Sequence, residues 1–203
     1  VATAVAMWAQ ALLAGVMLHR DPFYAPYRLL GHGLQPPERR ALWHHLKLGV
    51  PMGAGILVEV SAFTFMAIFI ARLGTTPVAG HQLAINLASM LFMVPFGLGN
   101  ATGTLVAQQL GAGALHDARR LGWHGLQLGC GVAALMGAAV YLLREPVLAL
   151  YTQDSAVLAA ALPLVAWLAL FHVADAAQTI AAFVLRAHKI ATVPMLIYVA
   201  ALW

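Results

Sequence analysis

The sequence predicts an all-α fold, a polytopic transmembrane helix bundle of about six spans, on three observations. Of the 203 residues, 62% are hydrophobic and 9% charged, against about 25% charged in soluble domains, and mean hydropathy is +0.83. The charged side chains are segregated: all but Glu59 and Asp175 fall in short segments between apolar stretches, and each stretch approaches the ~20 residues that cross a bilayer as a helix. The Lys and Arg residues then alternate between rich and poor segments, as loops on opposite sides of a membrane do.

Taken in order, the predicted spans cover residues 1–18, 48–71, 81–109, 121–143, 156–185 and 190–203. The last is cut short by the end of the chain. The third and fifth are long and contain Pro95 and Pro163, each of which removes a backbone donor and favours a kink where neighbouring helices re-satisfy the freed carbonyl. Pairs of glycines four apart, Gly49 with Gly53, Gly99 with Gly103 and Gly125 with Gly129, predict close helix approach.

The segments between spans hold all eleven basic residues. Segments 19–47 (Arg20, Arg28, Arg39, Arg40, Lys47), 110–120 (Arg119, Arg120) and 186–189 (Arg186, Lys189) carry nine of them, whereas 72–80 (Arg72) and 144–155 (Arg144) carry two. The positive-inside rule puts the nine-charge side in the cytoplasm, with Val1 starting outside. Glu59 lies twelve residues from Lys47 and Asp175 eleven from Arg186, so at ~1.5 Å per residue both carboxylates are roughly 16–18 Å from the cytoplasmic flank, near the bilayer midplane. Two helices running in opposite directions would present them to one cavity.

A carboxylate at that depth costs roughly 2.5–3.5 kcal/mol on insertion scales, so it is protonated, ligands a cation or lines a wet cavity. No Lys or Arg lies in any predicted span to pair with it. On the fifth span Phe171, His172, Asp175, Gln178 and Thr179 follow one another at helical spacing and predict a polar face. Gln82, Asn86, Ser89, Met93, Asn100 and Thr104 form a second stripe on the third span, expected to line the same interior. Around Glu59, the neighbours Gly55, Ala62, Phe63 and Met66 leave room and supply an aromatic face and a flexible thioether, walls suited to a lipophilic cation. Competing readings stand beside these: lipid contact for Phe63, Met66 and Phe171, interhelical hydrogen bonds for Asn86, Asn100 and Gln178, and for His172 either a proton relay or a hydrogen-bond partner of Asp175 one turn away.

Other classes are disfavoured. The net charge is +4, but the basic residues are scattered through separate segments rather than gathered on one patch with aromatics, so nucleic acid is not an expected partner. A single cysteine, Cys130, permits no internal disulfide. No basic n-region with a short apolar run and small-residue cleavage site opens the chain; beginning at Val1 and ending at Trp203 within apolar runs, it reads as a fragment.

Several stretches together resemble the multidrug and toxic compound extrusion (MATE) family, in its NorM-like bacterial branch. They are Gly49-Val-Pro-Met with Glu59 eight residues beyond Pro51, Val78-Ala-Gly-His-Gln-Leu-Ala-Ile-Asn86, Pro95-Phe-Gly-Leu-Gly99, Val106-Ala-Gln-Gln-Leu-Gly-Ala-Gly113, Arg144-Glu-Pro leading into Leu150-Tyr-Thr, and Asp175-Ala-Ala-Gln178 followed by Leu185-Arg186. The resemblance implies twelve helices in two six-helix lobes. Residues 1–18 would be the end of the preceding transmembrane helix, 19–47 the cytoplasmic inter-lobe connector, and 48–203 the C-terminal lobe, truncated in its last helix. It further implies a multi-pass protein of the bacterial inner membrane that exports cationic or amphipathic xenobiotics in exchange for Na⁺ or H⁺, with no cofactor beyond the coupling ion and no enzymatic activity. Its partners would be those cationic small molecules, the lipid bilayer and an N-terminal lobe of the same chain. Glu59 and Asp175 match the acids of the family's C-lobe cation site and would ligate Na⁺ if Na⁺ is the coupling ion. The sequence departs from the family at Ala107 and Ala187, and at Phe171, where related members place a tyrosine; loss of that hydroxyl tilts the expectation towards H⁺. Two alternatives fit less well: a related flippase for lipid-linked precursors, whose cavity would carry basic residues, and an intramembrane enzyme using the paired carboxylates, whose signature motifs are absent.

Overall fold

Inside a bilayer no water pairs with backbone N–H and C=O groups, so an apolar run must close its hydrogen bonds on itself as a helix. The computed structural model, which describes residues 2–23 and 38–202, has this form: α1 (Ala2–Arg20), α2 (Arg39–Ala71), α3 (Thr75–Gly111), α4 (Leu115–Leu142), α5 (Arg144–Tyr151), α6 (Ser155–Ala187) and α7 (Thr192–Leu202). Five of these, α1, α2, α3, α4 and α6, are long and apolar enough to cross a membrane. The expectation of about six spans therefore becomes five plus α7, whose described part is 11 residues. The chain divides into two compact units, Val1–Trp43 and His44–Trp203; α1, in the first, has no buried residue.

The helices outrun the apolar stretches that predicted them. α2 starts at Arg39 rather than residue 48, α3 at Thr75 rather than 81 and α4 at Leu115 rather than 121. Hydrophobicity marks where hydrocarbon begins, whereas a helix continues until its backbone is capped or broken. At 37 residues, α3 is roughly 55 Å long, against about 30 Å for the hydrocarbon core. α3 and α6 continue through Pro95 and Pro163.

Local chemistry sets the helix ends. At the end of α3, Gly113 adopts φ 77°, its N–H bonds Leu110 O, and the N–H of Ala114 bonds Gln109 O at 2.9 Å, the paired bonds of a Schellman motif. α6 ends the same way, with Lys189 N–H to Arg186 O and Ile190 N–H to Leu185 O. There a lysine, at φ 61°, occupies the left-handed position that glycine usually fills. At the start of α6 the Asp154 carboxylate accepts from the N–H groups of Ala156 and Val157 at 2.8 and 3.3 Å, a helix N-cap. α5 was expected as connector. Its 8 residues fold back on the bundle because Leu148 inserts completely into the core.

α3, α4 and α6 form the dense part of the second unit. Gly80 of α3 lies against Ala160 and Ala161 of α6, while Gly99 and Gly103 lie against Phe183, so α3 and α6 run parallel. Gly122, Gly129 and Gly137 of α4 meet Val184, Ile180 and Ala169 of α6 in reverse order, so α4 is antiparallel to both. Close approach explains two of the three predicted glycine pairs, those at 99/103 and 125/129. The third, Gly49 and Gly53, has nothing within 4 Å of where its Cβ atoms would lie. A satellite core of Ala84, Leu87, Leu91, Val140, Leu148, Ala161 and Val165 closes the opposite end of the bundle around α5.

Candidate functional site

Glu59 projects from the half-buried stripe of α2, one turn beyond Gly55, the only fully buried residue of that helix. A Cβ added at Gly55 would lie 3.8 Å from the Met195 Cα of α7, an ordinary van der Waals contact, so α7 passes beside the acid. Asp175 is half-buried on α6. The two carboxylates lie within electrostatic range of each other and of the Tyr198 hydroxyl of α7. The Gln178 side chain lies near that phenol group. Arg186 lies within range of both Glu59 and Tyr198, its guanidinium held 5.0 Å from the centre of the Phe183 ring. Glu59, Asp175 and Tyr198 thus come from three different helices, α2, α6 and α7.

The predicted polar face of α6 is split along Asp175. Phe171 (56% exposed) and Gln178 lie on the open side, whereas His172 (1%) and Thr179 (7%) are buried on the side covered by α3 and α4. The residues span roughly 120° of the helix surface at 3.6 residues per turn, wide enough for packing to bury one edge and leave the other free. His172, read from the sequence as a proton relay or a partner of Asp175, is buried away from the open side of α6. Its Nε2 has no partner among the described residues, a situation that costs about 1–3 kcal/mol for a buried polar group.

Phe63, 49% exposed, is one turn from Glu59 on α2. Gln82 and Asn86 are not beside the acids. The contacts of Gly80 and Gly99 with α6 put Asp175 level with Met93 and Val94, leaving Asn86 and Gln82 roughly 11 and 17 Å nearer the α3 N-terminus. Gln82 is exposed there. Asn86 joins α3 to α5: its Oδ1 accepts from the Tyr151 hydroxyl at 3.1 Å, with Met90 Sδ 3.5 Å from the same hydroxyl.

Sequence reasoning passed over Tyr198 and met Tyr151 only as part of the Leu150-Tyr-Thr stretch, with no partner assigned to it. The available signal for Tyr198 was its isolation: apart from Thr192 at the first position, α7 carries no other polar side chain. For Tyr151 there was none, since its partner lies 65 residues away.

The donor set is hard: two carboxylates, a phenol and a carboxamide. Such oxygens suit protons and alkali or alkaline-earth cations, and among the described residues no group of three or more His, Cys, Asp or Glu is arranged to hold a metal ion. Fold and site together define an integral, polytopic membrane protein with two half-buried carboxylates on apolar helices. Comparison with known proteins gives the family. The MatE family model matches residues 51–202, and the chain belongs to that family. It is 44% identical over its whole length to a probable multidrug resistance protein NorM of Aromatoleum aromaticum, covering 44% of that protein. It is 40% identical to a probable multidrug resistance protein NorM of Chromobacterium violaceum, covering 43%, and 34% identical to the multidrug resistance protein PmpM of Pseudomonas aeruginosa, covering 42%. The chain therefore spans less than half the length of the relatives it matches.

Proposed function

We propose that the chain forms the cation-coupling half of a secondary active multidrug efflux antiporter of the bacterial inner membrane, exporting cationic or amphipathic compounds in exchange for Na⁺ or H⁺. In this reading residues 48–203 are the C-terminal lobe, 19–47 the cytoplasmic connector and 1–18 the end of the helix before it, and a second lobe completes the cavity. The observation that carries the proposal is that Glu59 and Asp175, on different helices, lie within electrostatic range of each other and of Tyr198. The names of the relatives, multidrug resistance proteins, supply the substrate class.

The chemistry follows from competition. An acid pair left unneutralised among apolar helices is costly, so either the coupling cation or a cationic drug occupies the site. Phe63 and Phe171, both exposed beside the acids, offer ring faces to an organic cation. An antiporter results if occupancy by one cargo favours the inward-open and the other the outward-open arrangement of the lobes. The coupling cation is cargo, released on each cycle. Glu59, Asp175 and Tyr198, with the Gln178 carbonyl, are the oxygens that would take it.

The test is ethidium efflux from proteoliposomes holding the intact transporter, driven separately by a Na⁺ gradient and by a pH gradient, for wild type and for Glu59→Gln with Asp175→Asn. Efflux that needs one gradient and falls to background in the double variant is expected, and it names the ion. Gradient-driven efflux that persists in the double variant would move coupling to the other lobe.

A further inference from the structure

The outer ends of α4 and α6 form an open groove whose lining includes none of the candidate site residues. Its volume is about 410 Å³, its floor is Gly137, Ala138, Ala166 and Ala169, and its walls are Tyr141, Trp167 and Leu170. Small residues make it. At Gly137 the two helices touch so closely that a Cβ would stand 2.6 Å from the Ala169 carbonyl oxygen, and beside that contact the aromatic side chains stand up on both flanks. Trp167 and Leu170 are each 70% exposed. A groove with such walls offers a hydrocarbon chain contact and a polar ligand almost no partner.

A cation sits at its mouth. The Arg144 guanidinium lies 4.4 Å from the centre of the Tyr141 ring, and its Nη1 donates to the Tyr141 carbonyl at 2.7 Å. Tyr141 is thus both a wall of the groove and the platform under the charge. No carboxylate neutralises Arg144 among the described residues. Glu145 is turned roughly 100° away around α5, and no ion pair joins the two. Arg144 is one of only two basic residues on the side that the charge distribution assigns to the exterior, where positive charge is otherwise avoided.

The depth is right for a lipid. Arg144 is roughly 10 Å along the helix direction from Gly137. Since Gly137 is level with Ala169 and the guanidinium is folded back onto Tyr141, the charge stands near Val165, roughly 15 Å from Asp175 and hence at the boundary between headgroups and a hydrocarbon half-thickness of about 15 Å. We propose that this groove holds one phospholipid of the outer leaflet, its acyl chain lying between Tyr141 and Trp167 and the phosphate of an anionic headgroup on Arg144. A guanidinium with two or more free N–H donors matches phosphate geometry, and a headgroup lacking its own cation leaves that phosphate unopposed.

Native mass spectrometry of the intact transporter in mild detergent tests this, with phosphatidylglycerol and phosphatidylcholine of identical chains titrated in parallel and inorganic phosphate as a third arm. Wild type is expected to retain one lipid and to favour phosphatidylglycerol about fivefold, the effect of one basic residue near an anionic lipid. Arg144→Gln should remove the preference and Arg144→Lys keep part of it. Ala138→Phe, or Ala166→Leu should that variant fold poorly, should weaken both lipids alike by filling the groove. A headgroup preference that survives Arg144→Gln overturns the proposal. So does lipid binding undiminished by filling the groove, which would mean that another part of the protein covers it. Displacement of the lipid by inorganic phosphate would make this an anion site and refute the acyl-chain assignment.

Discussion

Tyr198 is the residue whose role sequence periodicity conceals. It sits in a short apolar helix, where an aromatic side chain reads as lipid contact, yet its hydroxyl lies in the charge field of Glu59 and Asp175 and near the Gln178 side chain. The chain has phenylalanine at 171, where the family resemblance leads one to expect a tyrosine, so Tyr198 is positioned to return a phenol to the same cluster from α7. Tyr198→Phe should weaken the coupling cation by about tenfold, the effect of a hydrogen bond to a charged group. The readout is the concentration of driving ion that half-saturates efflux, with thermal stability as the control for packing. An unchanged half-saturation would reduce Tyr198 to a spacer. The two acids were legible in the sequence because charge is so rare in hydrocarbon that its presence is a signal by itself. Tyr198 and Tyr151 were not, because their meaning depends on which helix lies opposite.

At the level of the helix, hydropathy located five spans and left their ends and contacts open. The hydrophobic pattern registers contact with lipid and contact with other helices equally, so it could not tell which edge of the α6 polar face would be covered. His172 and Thr179 went one way and Phe171 and Gln178 the other because α3 and α4 approach from one side only. Nor could glycine spacing distinguish an interface from an open surface. Gly137→Ala would drive a methyl group into the Ala169 backbone oxygen, which cannot move without its helix; a loss of about 1–3 kcal/mol is expected for such overpacking. Gly53→Ala, with nothing within 4 Å, should be neutral or should gain up to ~1 kcal/mol from helix propensity. Thermal unfolding of the two purified variants checks both. Equal destabilisation would mean that Gly53 also faces a helix in the complete protein.

For the whole molecule, topology is an argument about parity. α3 and α6 run parallel and α4 antiparallel to them, which requires exactly one crossing between each pair of consecutive long helices. α5 intervenes between α4 and α6 and keeps that parity only because its 8 residues make a helix of roughly 12 Å, far short of the ~30 Å core. The alternation of basic residues, read without any structure, demands the same parity, and the two lines of reasoning share no assumption. The charge alternation predicts the turn after α3 on the cytoplasmic side and the α5–α6 turn outside. After replacement of the single cysteine, Cys130→Ala, a cysteine introduced at Gln153 should react with a membrane-impermeant maleimide on whole spheroplasts. One introduced at His116 should react only once the membrane is opened. Both positions are exposed, so accessibility reports sidedness rather than burial. The reverse pattern would invert the molecule and carry the Arg144 groove to the inner leaflet, and labelling of both from outside would show that α4 does not cross.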